Sequence, residues 1–408
     1  MLKTVDEALA AMRAEISPLG VLEREAEKAH GYLLAESVLM HSDSPPFDRA
    51  LVDGFAVRSA DASVGAILRI IGRQDAGGSI WQRVPGVPLS EVSQGTCVAI
   101  NTGAVVPRGV DAVLMVEQSE REGEGIKVLR AVRPEEGIQR RGAQARAGSV
   151  ALPVGHTLTA AALAAGIAAG ASTFSVWRKP RVAVLSTGDE LVAPGNPLGP
   201  GQIHNSNQPM LRALVQESGC DTVNLGTCGD EREDLHARLT RGLTEADVLI
   251  ITGGMSMGTR DLVPPLLKEL GVRIHVEKVR MKPGKPFIFG TLGSGPGKKY
   301  VAGLPGNPVS AFVTFHLFVR EMLERLGGGD GSSRWITAEA GSEFDANGDR
   351  EFFQPCNLKH HGTRLIAQPL AWRGSGDIFS LSSADGVVHR PANAPSLPAG
   401  TLVNVLPF

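Results

Sequence analysis

Residues 250–261 read IITGGMSMGTRD, a β-branched apolar run that meets two glycines and then a stretch carrying Leu262, Leu266 and Leu267 at helical spacing. A strand, a glycine turn and a helix in that order form a cradle for an anion. Gly253 and Gly254 let the backbone approach a phosphate, successive N–H groups point at it, and the helix start adds partial positive charge. Ser256 and Thr259 offer hydroxyl donors beside it, and Asp261 closes the segment. Taken alone, such a turn also serves simply to join a strand to a helix.

Other segments bring groups that suit the same chemistry. STGDEL, residues 186–191, sets Thr187, Asp189 and Glu190 at the end of another apolar run, and CGDERED sets Asp230 at the end of a third. Carboxylates repel a bound anion unless a divalent cation bridges them, so the combination argues for Mg²⁺. Read singly, Asp189 and Asp230 are helix caps. In MKPGKP, residues 281–286, prolines stiffen a turn that presents Lys282 and Lys285, a pair suited to an oxyanion; exposed turn lysines are otherwise merely solvated. YVAGLPGNPVSAF repeats the strand, turn and helix design with Asn307 and Ser310 near the helix start. Upstream, SPPFDRALVDGFAVR carries Asp48 and Asp53, and NTGAVVPRG carries Thr102; by local sequence both are turns.

The elements that must position these groups fall into three regions. Residues 1–179 begin with a helix placing Val5, Leu9 and Met12 on one face, continue through short β-branched runs, and close on an Ala/Gly helix at 159–170 whose Gly166 and Gly170 permit close packing. This region is β-rich and irregular. Residues 180–328 alternate apolar strands with helices, among them 207–218, 233–243 and 309–324, as in a doubly wound parallel sheet covered on both faces. Ligands of such sheets bind beyond the carboxyl ends of the strands, where the motifs above lie. After GGGDGSS, residues 332–408 return to short strands between Gly, Pro and Asn, a small β-barrel or sandwich.

Composition excludes several classes. A net charge of −2, from 41 basic and 43 acidic residues, gives no field for nucleic acid. Cys97, Cys220, Cys228 and Cys356 lack CxxC spacing and read as reduced thiols. The longest apolar run, residues 160–171, is too short for a bilayer span of about 20 residues, and the start of the chain has no apolar signal core. The expectation is a cytoplasmic protein that engages neither membrane nor nucleic acid.

In order along the chain, PPFDRALVDGFAVRSAD, NTGAVVPRGVDAV, STGDEL, GGMSMGTRD, KPGKPFIFG and GLPGNPVS resemble the motif set of the molybdopterin molybdenumtransferase family, which includes the E domain of gephyrin. The resemblance spans nearly the whole chain. It implies an elongated homodimer with a two-part β-rich N-terminal region, a central α/β molybdopterin-binding domain and a small C-terminal β-barrel. It also implies Mg²⁺ as cofactor, with molybdate and adenylylated molybdopterin as substrates and AMP released. Carried over position by position, pterin and phosphate contacts fall on Thr187, Glu190, Gly253, Gly254, Ser256 and Asp261 with Asp230 nearby, and the carboxylates Glu190, Asp230 and Asp261 would hold the metal. Asp53 and Thr102 would complete the site from the partner subunit. Molybdate, a tetrahedral dianion, would be held by Lys282, Lys285, Arg350 and Ser375, so the C-terminal region should contribute to catalysis. Phe55 departs from the tyrosine of many relatives, and the C-terminal motifs match more loosely. Transient partners implied are a molybdopterin adenylyltransferase and apo-molybdoenzymes. Two rival readings are that adenylyltransferase itself, which the flanking regions argue against, and a receptor-clustering scaffold, for which the acidic and basic positions would be needless.

Overall fold

The computed structural model describes residues 2–77, 82–83, 92–254, 262–331 and 334–408. The chain forms two compact units, one of residues 1–23, 31–35 and 175–408, the other of residues 24–30 and 36–174. The second is inserted in the first. The chain departs after Ala35 and returns at Ser175, whose carbonyl accepts a hydrogen bond from Ala35 N at 2.9 Å.

The inserted unit is organised by a sheet in which Ala112–Met115, Gly54–Val57, Thr96–Ile100, Ile67–Gln74, Gly125–Val128 and Ser119–Glu122 lie side by side, with Gln82–Arg83 paired on Ile67–Gln74. Successive strand residues point to opposite faces. Ala56, Val98 and Val113 therefore enter one core while Val57, Cys97, Ala112 and Leu114 enter another, on the two faces of the one sheet. Phe55 packs against the second core. Helix Ala160–Ala168 is capped by Thr159, which accepts from Ala162 N at 3.2 Å. Its Gly166 lies under the Phe174 ring, where a Cβ would come within 2.5 Å of Cε1, so the close packing expected there is against an aromatic ring.

The larger unit is built on a six-stranded sheet of β1 (Arg181–Thr187), β2 (Asp221–Cys228), β3 (Val248–Thr252), β4 (Arg273–Val276), β5 (Ile288–Leu292) and β6 (Lys299–Leu304). Their order is β2-β1-β3-β6-β5-β4. Alternation assigns Val182, Val184, Val248, Ile250 and Ala302 to one face, beneath Leu211, Leu214 and Val215 of helix Asn207–Glu217. Ala183, Leu185, Leu249, Ile251 and Val301 enter the other, against Leu235 and Leu239 of helix Arg232–Glu245 and Leu266 and Leu267 of helix Val263–Glu269. The sheet is doubly wound. Strands β2, β1, β3 and β6 are parallel, whereas β5 runs antiparallel to β6 and β4 to β5. The departure from an all-parallel sheet follows from chain length, because residues 293–298 leave no room for a crossover between β5 and β6.

After β1 the chain moves to one side to form β2, then crosses to the other side to form β3. That reversal opens a crevice between the carboxyl ends of β1 and β3. The helix at 308–326 is α-helical over Pro308–Thr314 and Arg320–Leu326 and widens to a π-helix over Phe315–Val319.

The C-terminal strands Glu351–His361, Arg364–Pro369, Ile336–Ala340, Leu402–Pro407 and Gly386–Arg390 pair in that sequence, and Gly386–Arg390 pairs back onto Glu351–His361. This closure makes a five-stranded barrel around Phe344, Cys356, Ala367, Val388 and Val405. Met281–Lys282 adds to it in parallel beside Glu351 and Phe352. The first helix, Val5–Arg13, carries a capping box of Thr4 and Glu7 and buries Val5, Ala8 and Met12 in the same core as Phe287, Phe318 and Met322. Arg13 bonds Glu321 at 2.6 and 2.9 Å. All four cysteines are free and buried, and among the described residues no helix is long and apolar enough to cross a membrane.

Candidate active site

The carboxyl ends of β1, β3 and β6 open into turns because glycine or proline follows each strand. With the turn after β2 and a segment at 376–379, these line a cleft of about 930 Å³, within the size of pockets that hold small-molecule substrates. Thr187, Glu190, Asp230, Gly253 and Gly254, separated by up to 67 positions in sequence, all line it.

Hydrogen bonds stitch the turns together. Thr187 is buried and its hydroxyl donates to Asp230 Oδ1 at 3.1 Å, orienting that carboxylate. Asp230 N donates to Asp189 Oδ1 at 2.9 Å, and Gly188 N to the Cys228 carbonyl at 3.1 Å. Neither aspartate caps a helix. Helix Arg232–Glu245 has Glu231 at its cap position with no side-chain bond, and Asp189 uses its oxygen on the neighbouring turn. Gly253 has φ +91°, and a Cβ there would stand 2.1 Å from the Thr187 carbonyl oxygen, so the turn after β3 is seated directly on the end of β1. This is close backbone approach of the kind an anion cradle needs.

Two positioning residues escaped the sequence reading. Asn207 Nδ2 donates to Thr252 Oγ1 at 3.1 Å and to the Gly306 carbonyl at 2.6 Å, while the Thr252 hydroxyl donates to Pro305 O at 2.9 Å. The turns after β3 and β6 are thereby held at one spacing. Asn205 is buried, bonds Thr227 Oγ1 at 2.8 Å and accepts from Gln208 N at 3.1 Å. In sequence both are only polar residues at a helix start.

The barrel region reaches the cleft through Ser375. Its Oγ accepts from Asn307 Nδ2 at 2.9 Å and its carbonyl from Val309 N at 3.1 Å, so Gly376, Ile378 and Phe379 join the lining. Arg350 is half-buried and accepts at its carbonyl from Asn347 Nδ2 at 2.8 Å, away from that lining. From the lysine turn it is Pro286 that lines the cleft. Lys282 Nζ lies 5.0 Å from the Phe352 ring centroid, and Lys285 borders a second depression with Lys3, Lys268 and Lys278. Asp53 and Thr102 meet within the inserted unit, where Asp53 Oδ1 accepts from Thr102 N at 2.7 Å and Thr102 Oγ1 at 3.0 Å; these bonds hold the carboxyl below the usual aspartate range. Ser256, Thr259 and Asp261 lie outside the described residues.

Among the described residues no group of three or more His, Cys, Asp or Glu side chains is arranged to hold a metal ion. The cleft instead offers Glu190 and Asp230 with the Thr187 hydroxyl, all hard oxygen donors. Magnesium is commonly bound by one or two carboxylates and completed by water and substrate phosphate oxygens, so this donor set fits Mg²⁺ held together with a phosphorylated ligand. Burial and the neighbouring Asp234 push the Cys228 thiol, at the end of β2, up to about 12, which removes that sulfur as a nucleophile.

Comparison with known families matches the whole architecture. Residues 3–170 match the model for the MoeA N-terminal region (domain I and II), residues 183–325 that for a probable molybdopterin binding domain, and residues 337–408 that for the MoeA C-terminal region (domain IV). The chain is 35% identical over 388 residues to a molybdopterin molybdenumtransferase of Nostoc sp., covering 93% of this chain and 86% of that one. A second from Haemophilus influenzae is 33% identical over 327 residues, covering 80% and 78%. In three dimensions it is similar to the molybdopterin biosynthesis MoeA protein of Pyrococcus horikoshii, with a TM-score of 0.82 and 33% identity over 100% of this chain and 99% of that one.

Proposed function

This chain belongs to the molybdopterin molybdenumtransferase family, and on that premise we propose that it inserts molybdate into adenylylated molybdopterin, with release of AMP, to complete the molybdenum cofactor. The coarser activity, molybdenum transfer to molybdopterin in cofactor synthesis, is that of the family. The observation that carries the finer reading is the cleft at the β1/β3 reversal, where a glycine turn and two carboxylates stand together. A phosphoanhydride flanked by carboxylates is the ligand such a pairing suits.

The chain's own residues divide the work. The Gly253 N–H is committed to the Leu304 carbonyl at 3.4 Å, so the backbone of the turn from Gly254 onward binds and orients the phosphates, and Thr187 holds Asp230 in place for the same end of the ligand. Glu190 and Asp230, with Asp261, would hold Mg²⁺, which supplies neutralisation of charge on the phosphoanhydride. For the molybdate dianion we keep Ser375, tied to the cleft rim through Asn307 and Val309, with Lys282, Lys285 and Arg350 as the charged groups of the neighbouring turn and barrel strand, none of which lines the cleft itself. As the two Mo–S bonds form, the two thiol protons leave with one molybdate oxide as water, and cleavage of the phosphoanhydride by a second water yields AMP and the pterin phosphate. Asp53 and Thr102 of a second copy complete the site, which makes the active species a homodimer. The setting is the cytoplasm, where an adenylyltransferase delivers the adenylate and apo-molybdoenzymes collect the product.

The decisive experiment follows AMP release from adenylylated molybdopterin in Mg²⁺ with and without molybdate, while scoring mature cofactor by reconstitution of an apo-molybdoenzyme. Molybdate-dependent AMP release with reconstitution is expected. Tight adenylate binding without turnover would overturn the transferase reading in favour of a carrier, and consumption of ATP with molybdopterin would identify an adenylyltransferase instead.

A further inference from the structure

We infer that Phe379 is the stacking surface for a planar heteroaromatic ring of the substrate, an inference that rests on the function proposed above. Phe379 is 84% exposed yet lines the same cleft as Thr187, Asp230 and Gly253. Ile378, Leu198 and Ile203 also line it, the last two well exposed, so the cleft carries exposed apolar groups at its lip beside the polar turns.

The backbone that carries the ring is held by its turn. Asp377 caps the short helix Ile378–Leu381, accepting from Ser380 N at 3.1 Å, Ser380 Oγ at 2.6 Å and Arg373 N at 3.0 Å. Leu381 is buried on the inner side, and the bonds from Asn307 and Val309 to Ser375 fix the approach. With the backbone fixed in advance, only the two side-chain torsions of Phe379 remain to be ordered on binding, which keeps the cost of the contact low. Phosphates, dithiolene and molybdate gain nothing from an apolar lip. The pterin and the adenine each present a π-face that does, through offset stacking on phenyl. Phe379 therefore sets affinity for the ring system and leaves the reacting atoms to the glycine turn and the charged groups.

The test uses full-length Phe379→Ala and Phe379→Trp proteins, with equilibrium binding of AMP, of molybdopterin and of adenylylated molybdopterin, and with steady-state KM and kcat for AMP release. Phe379→Ala should weaken the adenylate about fivefold to tenfold and raise KM in proportion, with kcat changed less than twofold, while Phe379→Trp binds at least as tightly as the parent. Loss confined to the AMP arm assigns the ring as adenine; loss confined to the molybdopterin arm assigns it as pterin. Unchanged binding of all three ligands by Phe379→Ala, in a parent that binds and turns over the adenylate, overturns the stacking role and leaves the proposed function intact. A parent that neither binds nor turns over the adenylate overturns both. Sedimentation velocity on the same samples supplies the remaining outcome: a change in oligomeric state that accounts for the affinity loss would place the ring against another copy of the chain and overturn the inference.

Discussion

Replacing Gly253 by alanine tests whether the turn after β3 is seated as tightly as the geometry says. The backbone there has φ +91°, which an L-residue adopts only at a cost of roughly 1 to 2 kcal/mol. The new methyl would also stand 2.1 Å from the Thr187 carbonyl oxygen. That oxygen cannot simply retreat. Thr187 is registered against Cys228 and the preceding Ser186 against Thr252, so relieving the clash means displacing strand ends on both sides of β1. Overpacking of this kind costs about 1 to 3 kcal/mol, giving a combined loss of about 2 to 5 kcal/mol. Urea unfolding followed by circular dichroism should show a lower midpoint at unchanged m-value, and AMP release should fall by more than the stability loss explains, because the displaced N–H groups no longer meet the phosphate. An unchanged midpoint with AMP release within twofold of the parent would refute both the seating and the cradle.

Three further outcomes follow from other residues. Thr187→Val keeps the buried shape and removes the hydroxyl that orients Asp230; we expect a loss of stability of about 1 kcal/mol by urea unfolding and a clear rise in the Mg²⁺ needed for half-maximal AMP release, whereas an identical Mg²⁺ titration would remove Thr187 from the site. Asp247 is opposed by burial, but Arg178, at 2.8 and 3.0 Å, and Arg181 N, at 2.9 Å, outweigh it and hold the carboxyl below the usual aspartate range. A depressed folded value contributes stability above the unfolded value of about 4 and loses it as pH falls through the folded one. The stability gap between the parent and Asp247→Asn should thus narrow on acidification from about pH 5 to about pH 3, and a gap constant with pH would contradict the pairing. Burial pushes the thiols of Cys97, Cys220, Cys228 and Cys356 up to about 12, so a colorimetric thiol reagent at neutral pH should react with none in the native protein and with four after denaturation; rapid native labelling would show that one is accessible.

What could be read from sequence was whatever one stretch of chain contains. The order strand, glycine, helix around Gly253 is local, as is the placement of Thr187 and Asp230 at strand ends, and the structure brings these to one cleft. The pairing of Thr187 with Asp230 needed the neighbouring register of β1 and β2, which no local pattern contains. Asn207 was invisible for the same reason: its function comes from reaching Thr252 and Gly306, 45 and 99 positions away. The choice between barrel and sandwich turned on one closing pair, Glu351–His361 with Gly386–Arg390. For Lys285 the local pattern gave a cation on a stiff turn without its direction, and the structure sets it at the border of a depression with three other lysines. Phe379 carries no periodic signal, since an isolated exposed phenylalanine looks the same on any surface.

The capture of the first helix by a core completed far downstream has a consequence for how the protein is made. Val5–Arg13 is synthesised long before the core that receives it, since the glutamate that Arg13 grips is 308 residues further on. At the usual translation rate of about 5 to 20 residues per second, that interval is roughly 15 to 60 seconds. Throughout it Val5, Ala8 and Met12 have no core to enter, while the whole inserted unit is synthesised and free to fold. The nascent chain thus spends that interval with an unsheltered apolar stripe on this helix, a natural handle for a chaperone.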